Sequence, residues 1–443
     1  MEPHQVLEGK LTSDERLPSL DLIRGFAILM ILPANLPFFS QPSVLPQTTL
    51  SWSDKLVFAL TLPFVYGKFI TILSILFGTG LAIQAMKAQV AGQPFESLYA
   101  RRMVVLFFIG LAHALLLWFG DILTSYAIVG LLALLLSKLG QRALLWWIGS
   151  CLAWCYIWLL ALTLFVALIG EEKLVPSETE SVGTVKMEQE GKSPKMPSTK
   201  REPKAETETE RAEQFGRAIE RYFSQENQTR IYRQGTFSER VLNNAIFAGF
   251  GTCCCFLPLL GWYLLACFLL GTYLFRQGVF YDVNAHRPLI YKFIVYGLAV
   301  GFVFNLMTVF VYLRNPNGVL YWLLVGFGAL PTALGYMGLL LLWSQSELFK
   351  RLQARLIAVG RLALSNYLLQ SVICTFIFYG HGLGLYGQLS QSAAFALVPT
   401  IWLIQLFISP IWLQYFHLGP AEWLWRSLAE GRRRKFLKRT EVR

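Results

Sequence analysis

The residues best suited to acid–base chemistry in this chain lie within or beside strongly apolar segments. His113 is the only histidine well inside an apolar run, and Asp121 follows it eight residues later. Because a histidine takes up and releases a proton near neutral pH, His113 could serve as a general base or a proton relay. Eight residues span roughly 12 Å along a helix, so the two side chains cannot touch within one straight helix, although a substrate or other groups could link them. The alternative is a structural histidine, buried and hydrogen-bonded between helices.

A pair of opposite charges lies at the start of the first apolar run, DLIRGFAILMILPAN. Asp21 and Arg24 are three residues apart, and the run ends at Asn35. A charge at the centre of a spanning helix costs about 2.5–3.5 kcal/mol, and less near the helix end. Residues at this spacing share a helical face and can neutralise each other. The pair therefore marks either a functional site or a charged helix end at the lipid headgroups.

A lysine interrupts the second apolar run. Lys68 follows Gly67 in the middle of that run and requires a carboxylate, a phosphate or a water-filled cavity, for which Asp121 is a possible partner. Alternatively, Lys68 begins the helix proper and extends its ammonium group outward along the apolar surface.

Four polar residues stand in the otherwise apolar run that begins GRLALSNYLLQS. They are Asn366, Tyr367, Gln370 and Ser371, and the first and third share a helical face because they are four residues apart. An interhelical hydrogen bond in lipid is worth about 0.6–2 kcal/mol. The spacing alone favours packing contacts and a substrate-binding face equally.

The composition identifies a polytopic membrane protein. Of 443 residues, 55% are hydrophobic and 15% are charged, compared with about 45–50% and 25% in soluble domains. The net charge of +12 is assigned to loop lysines and arginines that orient the chain, so the expected partner is the lipid bilayer and not nucleic acid. The seven cysteines lack the spacing of a metal site, so no metal is expected. Walker, Rossmann, HExxH and GxSxG patterns are absent from plausible positions, which argues against ATP-driven pumping and a conventional serine hydrolase.

The apolar runs predict an all-α bundle of about ten spans. Loops rich in lysine and arginine alternate along the chain with loops that are poor in both. This alternation fits the positive-inside rule if both termini are cytoplasmic. Two of the runs are long enough to be two spans each, namely 56–86 and 241–276. The predicted spans are 22–39, 56–86, 103–119, 122–137, 143–169, 241–276, 290–312, 320–343, 361–379 and 395–416.

The spans divide the chain into four segments. Two membrane halves, 1–169 and 241–419, flank an extracytoplasmic loop at 170–240, and a basic cytoplasmic tail follows at 420–443. The first part of the loop is rich in Glu, Lys, Pro, Ser and Thr and is expected to be disordered, whereas the part from residue 214 onward could form an amphipathic helix.

Several stretches together resemble one family. They are DLIRGFAILMILPAN, LFGTGLAIQ, RRMVVLFFIGLAHALLLWFGDILTSYAIVG, GRLALSNYLLQSVICTFIFYGHGLGLYGQLS and LGPAEWLWRSL, and they are similar to the YeiB-like bacterial inner-membrane family, whose C-terminal part is a domain of unknown function. That family is grouped with the transmembrane acyltransferases. The resemblance therefore implies a protein of the bacterial inner membrane that transfers an acyl group from cytoplasmic acyl-CoA and holds no bound cofactor.

The same resemblance assigns provisional roles to residues. His113 would be the base, Asp121 would orient the acceptor or a proton, and Arg24, Arg101 and Arg102 could hold the phosphates of the donor. Large acyltransferase-3 proteins have a histidine ten residues after a basic residue of the first span, whereas here Asn35 follows Arg24 after ten intervening residues. Arg101 and Arg102, which are adjacent in the sequence, could instead be the positive charges that hold their loop on the cytoplasmic side.

The alternative function is secondary transport of a small solute. In that case His113, Lys68 and Asp121 would form a proton-coupled path, and the long second and sixth runs would shape a site in the middle of the membrane. A transporter needs polar groups that line a cavity open to each side in turn, whereas an acyltransferase needs a donor tunnel that meets an acceptor pocket at one base.

Overall fold

The residues that the computed structural model describes, which are 16–42, 51–169, 208–314 and 320–438, are mostly helical. The prediction of an all-α fold is confirmed. Of the segment expected to be disordered, 171–213, the residues up to 207 lie outside the described residues, whereas 208–213 belong to a helix. The elements are α1 (Pro18–Ser40), α2 (Trp52–Phe64), α3 (Lys68–Val90), α4 (Glu96–Leu116), α5 (Leu123–Leu136), α6 (Gln141–Ile169), α7 (Glu208–Phe223), α8 (Gln225–Gln234), α9 (Phe237–Gly251), the π-helical α10 (Thr252–Leu260), α11 (Gly261–Arg276), α12 (Arg287–Arg314), α13 (Leu320–Ser344), α14 (Lys350–Arg361), α15 (Ala363–Phe378), α16 (Gln391–Phe395), α17 (Leu397–Tyr415) and α18 (Pro420–Glu430).

The described helices include seven stretches that are long and apolar enough to cross a membrane. An eighth results if α14 and α15, which meet at 84°, are counted as one broken span. The apolar helices α5 and α11 are shorter, at 14 and 16 residues. The chain is therefore a multi-pass membrane protein, whereas the ten crossings and the cytoplasmic termini expected from the loop charges stay predictions.

The two long apolar runs are interrupted where the sequence contains helix-breaking residues. The run 56–86 divides into α2 and α3, and Gly67 between them has φ +79°, a backbone conformation that favours glycine. The run 241–276 continues from α9 to α11 through the π-helical α10, which contains Pro258. Proline has no N–H to complete the α-helical ladder, so a change of helix type at this point is expected.

Two glycines allow neighbouring helices to approach closely. A Cβ atom at Gly25 of α1 would lie 1.9 Å from the carbonyl oxygen of Leu356 of α14. A Cβ atom at Gly271 of α11 would lie equally close to the carbonyl oxygen of Ile75 of α3. These contacts require the absence of a side chain, so they fix how α14 lies against α1 and how α11 lies against α3.

Helices α7 and α8 pack only partly against the rest of the bundle. In the part of the loop predicted to be amphipathic, Phe215 and Ile219 are exposed on α7, whereas Ile231 and Tyr232 of α8 are buried. Tyr232 stacks with Tyr379 at a ring separation of 4.6 Å. The helix predicted here exists, but α8 is the part that seals one end of the bundle.

The last helix, α18, is tied to the opposite end of the bundle. The carboxylate of Glu422 accepts hydrogen bonds from the backbone N–H groups of Leu364 and Ser365, at 2.7 and 3.1 Å, and so caps the start of α15. The indole N–H of Trp425 donates to the carbonyl oxygen of Arg102 in α4, at 2.7 Å. Helix α18 therefore lies across the ends of α4 and α15.

Candidate functional site

A cavity of about 460 Å³ opens at the end of the bundle that α18 covers. Helices α1, α3, α4, α5, α14, α15 and α18 contribute to its wall. Along α3 the lining extends from Lys87 to Leu73, a distance of roughly 21 Å at 1.5 Å per residue. The cavity thus reaches from the end of the bundle well into its interior.

Charged residues surround the outer part of the cavity, which we call the basic mouth. Six cationic and two acidic side chains line it, so the lining has an excess of four positive charges. Asp21 neutralises Arg24, with Nη1 and Oδ1 2.6 Å apart. The residues of the basic mouth are Arg16, Arg24, Lys87, Arg102, Arg361 and Arg426 together with Asp21 and Glu422.

Three arginines of the basic mouth have no acidic partner among the described residues. Arg16, Arg361 and Arg426 form no ion pair within 4 Å with that part of the chain, whereas Arg102 pairs with Glu430 at 3.1 Å. Burial, together with the nearby charges of Arg102 and Arg16, lowers the pKa of Arg426 to about 10, so the group is still protonated at pH 7. The basic mouth therefore offers guanidinium groups that are free to bind an anion.

The inner part of the cavity is apolar. Tyr126 and Tyr367 are also part of its wall, and both of these side chains are buried. A phosphate-bearing head with an attached hydrocarbon chain would match this division into a cationic mouth and an apolar interior. The apolar lining includes Leu20, Ile28, Ile31, Leu73, Leu76, Phe77, Leu106, Ile122 and Leu123.

Behind the inner end of the cavity, three polar residues are joined by hydrogen bonds. His113 Nδ1 lies 2.9 Å from Asp121 Oδ1, and His113 Nε2 lies 2.8 Å from Ser371 Oγ. The other oxygen of Asp121 accepts from the N–H and the hydroxyl of Thr124, both at 2.7 Å, at the start of α5. We call Asp121, His113 and Ser371 the buried triad.

His113 and Asp121 are in contact because they do not lie in one straight helix. Helix α4 ends at Leu116, and the chain turns back so that Asp121 caps α5 beside the histidine. His113 is only 3% exposed and both of its ring nitrogens are bonded, which is the arrangement predicted for a structural histidine. It does not line the cavity, but its ring centroid lies 5.2 Å from that of Tyr367, which does.

The arginines proposed to hold phosphate have different positions. Arg24 and Arg102 both line the basic mouth, as the hypothesis requires. Arg101 is exposed and is not part of the cavity lining. Asn35 is half-buried on α1, eleven residues beyond Arg24, and is also outside the lining.

Lys68 is the first residue of α3, but it does not extend outward. Its side chain is fully buried, and Nζ donates to the carbonyl oxygen of Leu62 at 3.0 Å. The carboxylate of Asp121, considered as a partner from the sequence, is bonded to His113 and Thr124 instead. A proton path that joins all three residues is therefore not formed in this structure.

The polar residues of α15 separate into two groups. Gln370 donates to Gln405 at 2.9 Å, and Asn366 donates to Ser409 at 3.1 Å, so these two amides join α15 to α17. This pattern favours the packing interpretation for Asn366 and Gln370. Tyr367 points to the cavity and the histidine instead, and it retains a possible role in binding.

Sequence reasoning did not assign roles to several residues of the site. Arg361 and Arg426 had been counted only as loop and tail charges, and Glu422 and Trp425 had been quoted only as part of LGPAEWLWRSL. Their contacts depend on the fold, because α18 is distant in sequence from α4 and α15. The sequence contained one signal for a role of these residues. An acidic residue stands beside two tryptophans and an arginine in the basic tail.

Comparison with known proteins identifies relatives that have no assigned function. Residues 274–432 match the family model described as protein of unknown function DUF418. The uncharacterized protein YxaH of Bacillus subtilis (strain 168) is 29% identical over 457 residues, covering 98% of this chain and 99% of the relative. The uncharacterized protein YeiB of Escherichia coli (strain K12) is 27% identical over 451 residues, covering 94% and 96%. No solved structure gives a significant match.

Proposed function

We propose that this chain is a multi-pass inner-membrane acyltransferase of the YeiB-like family whose donor is a cytoplasmic acyl-CoA; its similarity to YxaH and YeiB supports the family. The observation that carries the proposal is the cavity, in which a cationic mouth leads to an apolar interior. In this proposal the basic mouth faces the cytoplasm, where acyl-CoA is made.

The donor has the two chemical parts that the cavity would accept. Its phosphates would bind to Arg16, Arg361 and Arg426, which need not give up an existing carboxylate partner among the described residues. Guanidinium groups form bidentate, charge-assisted hydrogen bonds with phosphate. The acyl chain would lie along the apolar lining, so the thioester would lie between these two parts.

The reactive end of the cavity is the part that contains Tyr367. If the acyl chain of the donor enters the apolar interior, the thioester carbonyl group comes to lie along this wall. That position is close to His113, a buried histidine inside an apolar helix. His113 is held by Asp121, which fixes the orientation of the imidazole ring. The acceptor of the acyl group would have to reach the same position.

Donor binding provides the direct test. Purified full-length protein in detergent is titrated with unreactive S-alkyl-CoA thioethers of increasing chain length. We expect affinity to rise with chain length and to fall at least about tenfold, or 1.4 kcal/mol, in Arg426→Gln and in Arg361→Gln. Arg101→Gln is the matched control, because Arg101 is exposed outside the cavity. Failure of every chain length to bind contradicts the proposal.

Secondary transport is the second candidate, and one observation favours it. Lys68 is a fully buried cation whose described hydrogen-bond partner is a backbone carbonyl group, as is common in ion-coupled transport sites. This candidate predicts proton-coupled solute uptake in liposomes that Lys68→Ala abolishes. The acyltransferase proposal predicts release of free CoA from acyl-CoA, which a transporter would not produce.

A further inference from the structure

We infer that Ser371 is a nucleophile that accepts the acyl group and that the buried triad activates it. The identity of the donor rests on the proposed function, whereas the nucleophilic character of Ser371 rests on geometry alone. The three side chains form a chain of contacts from Asp121 through His113 to Ser371, with separations of 2.9 and 2.8 Å.

The hydrogen bonds are compatible with one arrangement of protons that suits a serine nucleophile. One oxygen of Asp121 accepts from the N–H and the hydroxyl of Thr124. In this arrangement Asp121 is a carboxylate, which can only accept, and His113 donates its Nδ1–H to it. The neutral imidazole then has a lone pair on Nε2, and Ser371 donates its hydroxyl proton to that nitrogen. This is the protonation state that a serine nucleophile requires.

The buried triad is one side chain away from the cavity. Tyr367 lines the cavity, contacts the ring of His113, and precedes Ser371 by four residues, so both lie on one face of α15. Ile122 also lines the cavity and directly follows Asp121 in the chain. Because Ser371 is only 2% exposed, a rotation of the Tyr367 side chain is needed to admit a thioester.

The reaction can be written with all atoms in balance. Ser371 Oγ attacks the thioester carbonyl carbon while its proton passes to His113 Nε2. The carbon–sulfur bond then breaks, and the CoA thiolate takes that proton and leaves as the free thiol. An acceptor hydroxyl or amine next attacks the carbonyl carbon of the seryl ester and gives its proton to His113 Nε2; the bond between this carbon and Ser371 Oγ then breaks, and His113 returns the proton to Ser371 Oγ. Asp121 stays ionised throughout and holds the ring.

The sequence around Ser371 contains no motif that indicates this arrangement. The residue lies inside α15 in the sequence LQSVI, without the glycines of the nucleophile elbow of serine hydrolases. The fold brings His113 of α4 to it across 258 residues of chain. Triads are recognised by geometry and not by sequence position.

Covalent labelling of the full-length protein in detergent tests the inference. One sample receives a long-chain alkyl fluorophosphonate, which reacts with an activated serine whatever the natural donor is, and another receives acyl-CoA before an acid quench. Mass spectrometry then locates the label. We expect both reagents to modify Ser371, Ser371→Ala to remove the label, and His113→Gln to slow labelling at least about 100-fold, the usual contribution of a general base.

Matched controls separate chemistry from folding. Thr375→Ala removes the hydroxyl group one turn further along α15, where it bonds only to the carbonyl oxygen of Val372, and labelling should be unchanged. Each variant must still bind the S-alkyl-CoA thioether. A protein that binds the thioether but receives no label at Ser371 from either reagent overturns the inference. Fluorophosphonate labelling at Ser371 without any binding of CoA compounds supports the nucleophile and contradicts acyl-CoA as donor.

Discussion

Gly360 lies so close to Asp21 that a Cβ atom on the glycine would be 1.9 Å from the aspartate carbonyl oxygen. Both residues line the cavity, and Asp21 belongs to the basic mouth, so this backbone contact between α14 and α1 sets the width of the cavity there. We predict that Gly360→Ala forces the two helices apart, lowers stability by about 1–3 kcal/mol, as overpacking does, and weakens binding of S-alkyl-CoA. Thermal unfolding in one detergent measures the first effect. Gly80→Ala is the control, since a Cβ atom there meets nothing within 4 Å; equal unfolding temperatures would refute the prediction.

The space beside Gly80 offers a way to shorten the cavity without disturbing its mouth. Gly80 lines the cavity from α3 and has free room for a side chain. We predict that Gly80→Leu fills part of the apolar interior and reduces affinity for long S-alkyl chains by tenfold or more, while affinity for short chains stays within twofold. Isothermal titration over a series of chain lengths measures the difference. An equal loss for all lengths would mean that the chain does not occupy this interior.

The charge of Arg426 predicts how binding depends on pH. Its pKa is lowered to about 10 by burial and by neighbouring arginines, so the guanidinium group is charged at pH 7 and loses its proton as the pH rises through 10. Phosphate groups, with a second pKa near 6, are fully ionised above pH 8. We expect affinity for an S-alkyl-CoA to be constant from about pH 8 to 9 and to fall between about 9 and 11. In Arg426→Gln this fall should be absent, and an unchanged profile in the variant would count against the role of Arg426.

Glu430 makes the attachment of α18 sensitive to acid. Burial raises the pKa of this carboxyl, but hydrogen bonds and charges from Arg434 and Arg102 outweigh it and lower the pKa below 4.5. A carboxyl with a lowered pKa stabilises the fold above its ordinary pKa, and this contribution is lost as the pH falls through the folded-state value. We therefore predict that α18 becomes accessible to proteases below about pH 4.5. In the Glu430→Gln variant, α18 should be equally accessible to proteases at pH 7 and at pH 4. If acid still increased the accessibility of α18 in this variant, as in the unmodified protein, the role given to Glu430 would be refuted.

The sequence predicted those features that depend on local pattern. Apolar runs gave the helices, and the spacing of Asp21 and Arg24 gave their ion pair, because neighbours on one helical face meet whatever the rest of the fold does. The helix break at Gly67 was also expected from the residue type. Such features are determined within a few residues of chain.

The features that were missed depend on helices that are distant in sequence. The contact between His113 and Asp121 depends on α4 ending at Leu116, a few residues before the predicted end at 119, so that the chain turns back beside the histidine. The partnership of Glu422 with the start of α15 and the position of Arg426 in the basic mouth require α18 to fold back over the bundle. Polar residues in an apolar helix indicate that a partner exists, but they do not identify it.

The basic mouth has a consequence for how the protein is made. Arg16 precedes α1, whereas Glu422, Trp425 and Arg426 belong to α18, which follows the last apolar helix. During synthesis, the apolar helices can enter the bilayer one after another while the binding site is still incomplete. Only when α18 emerges and caps α15 does the cavity acquire its full charge. A chain interrupted before residue 420 would therefore insert in the membrane and have no complete site for an anionic substrate.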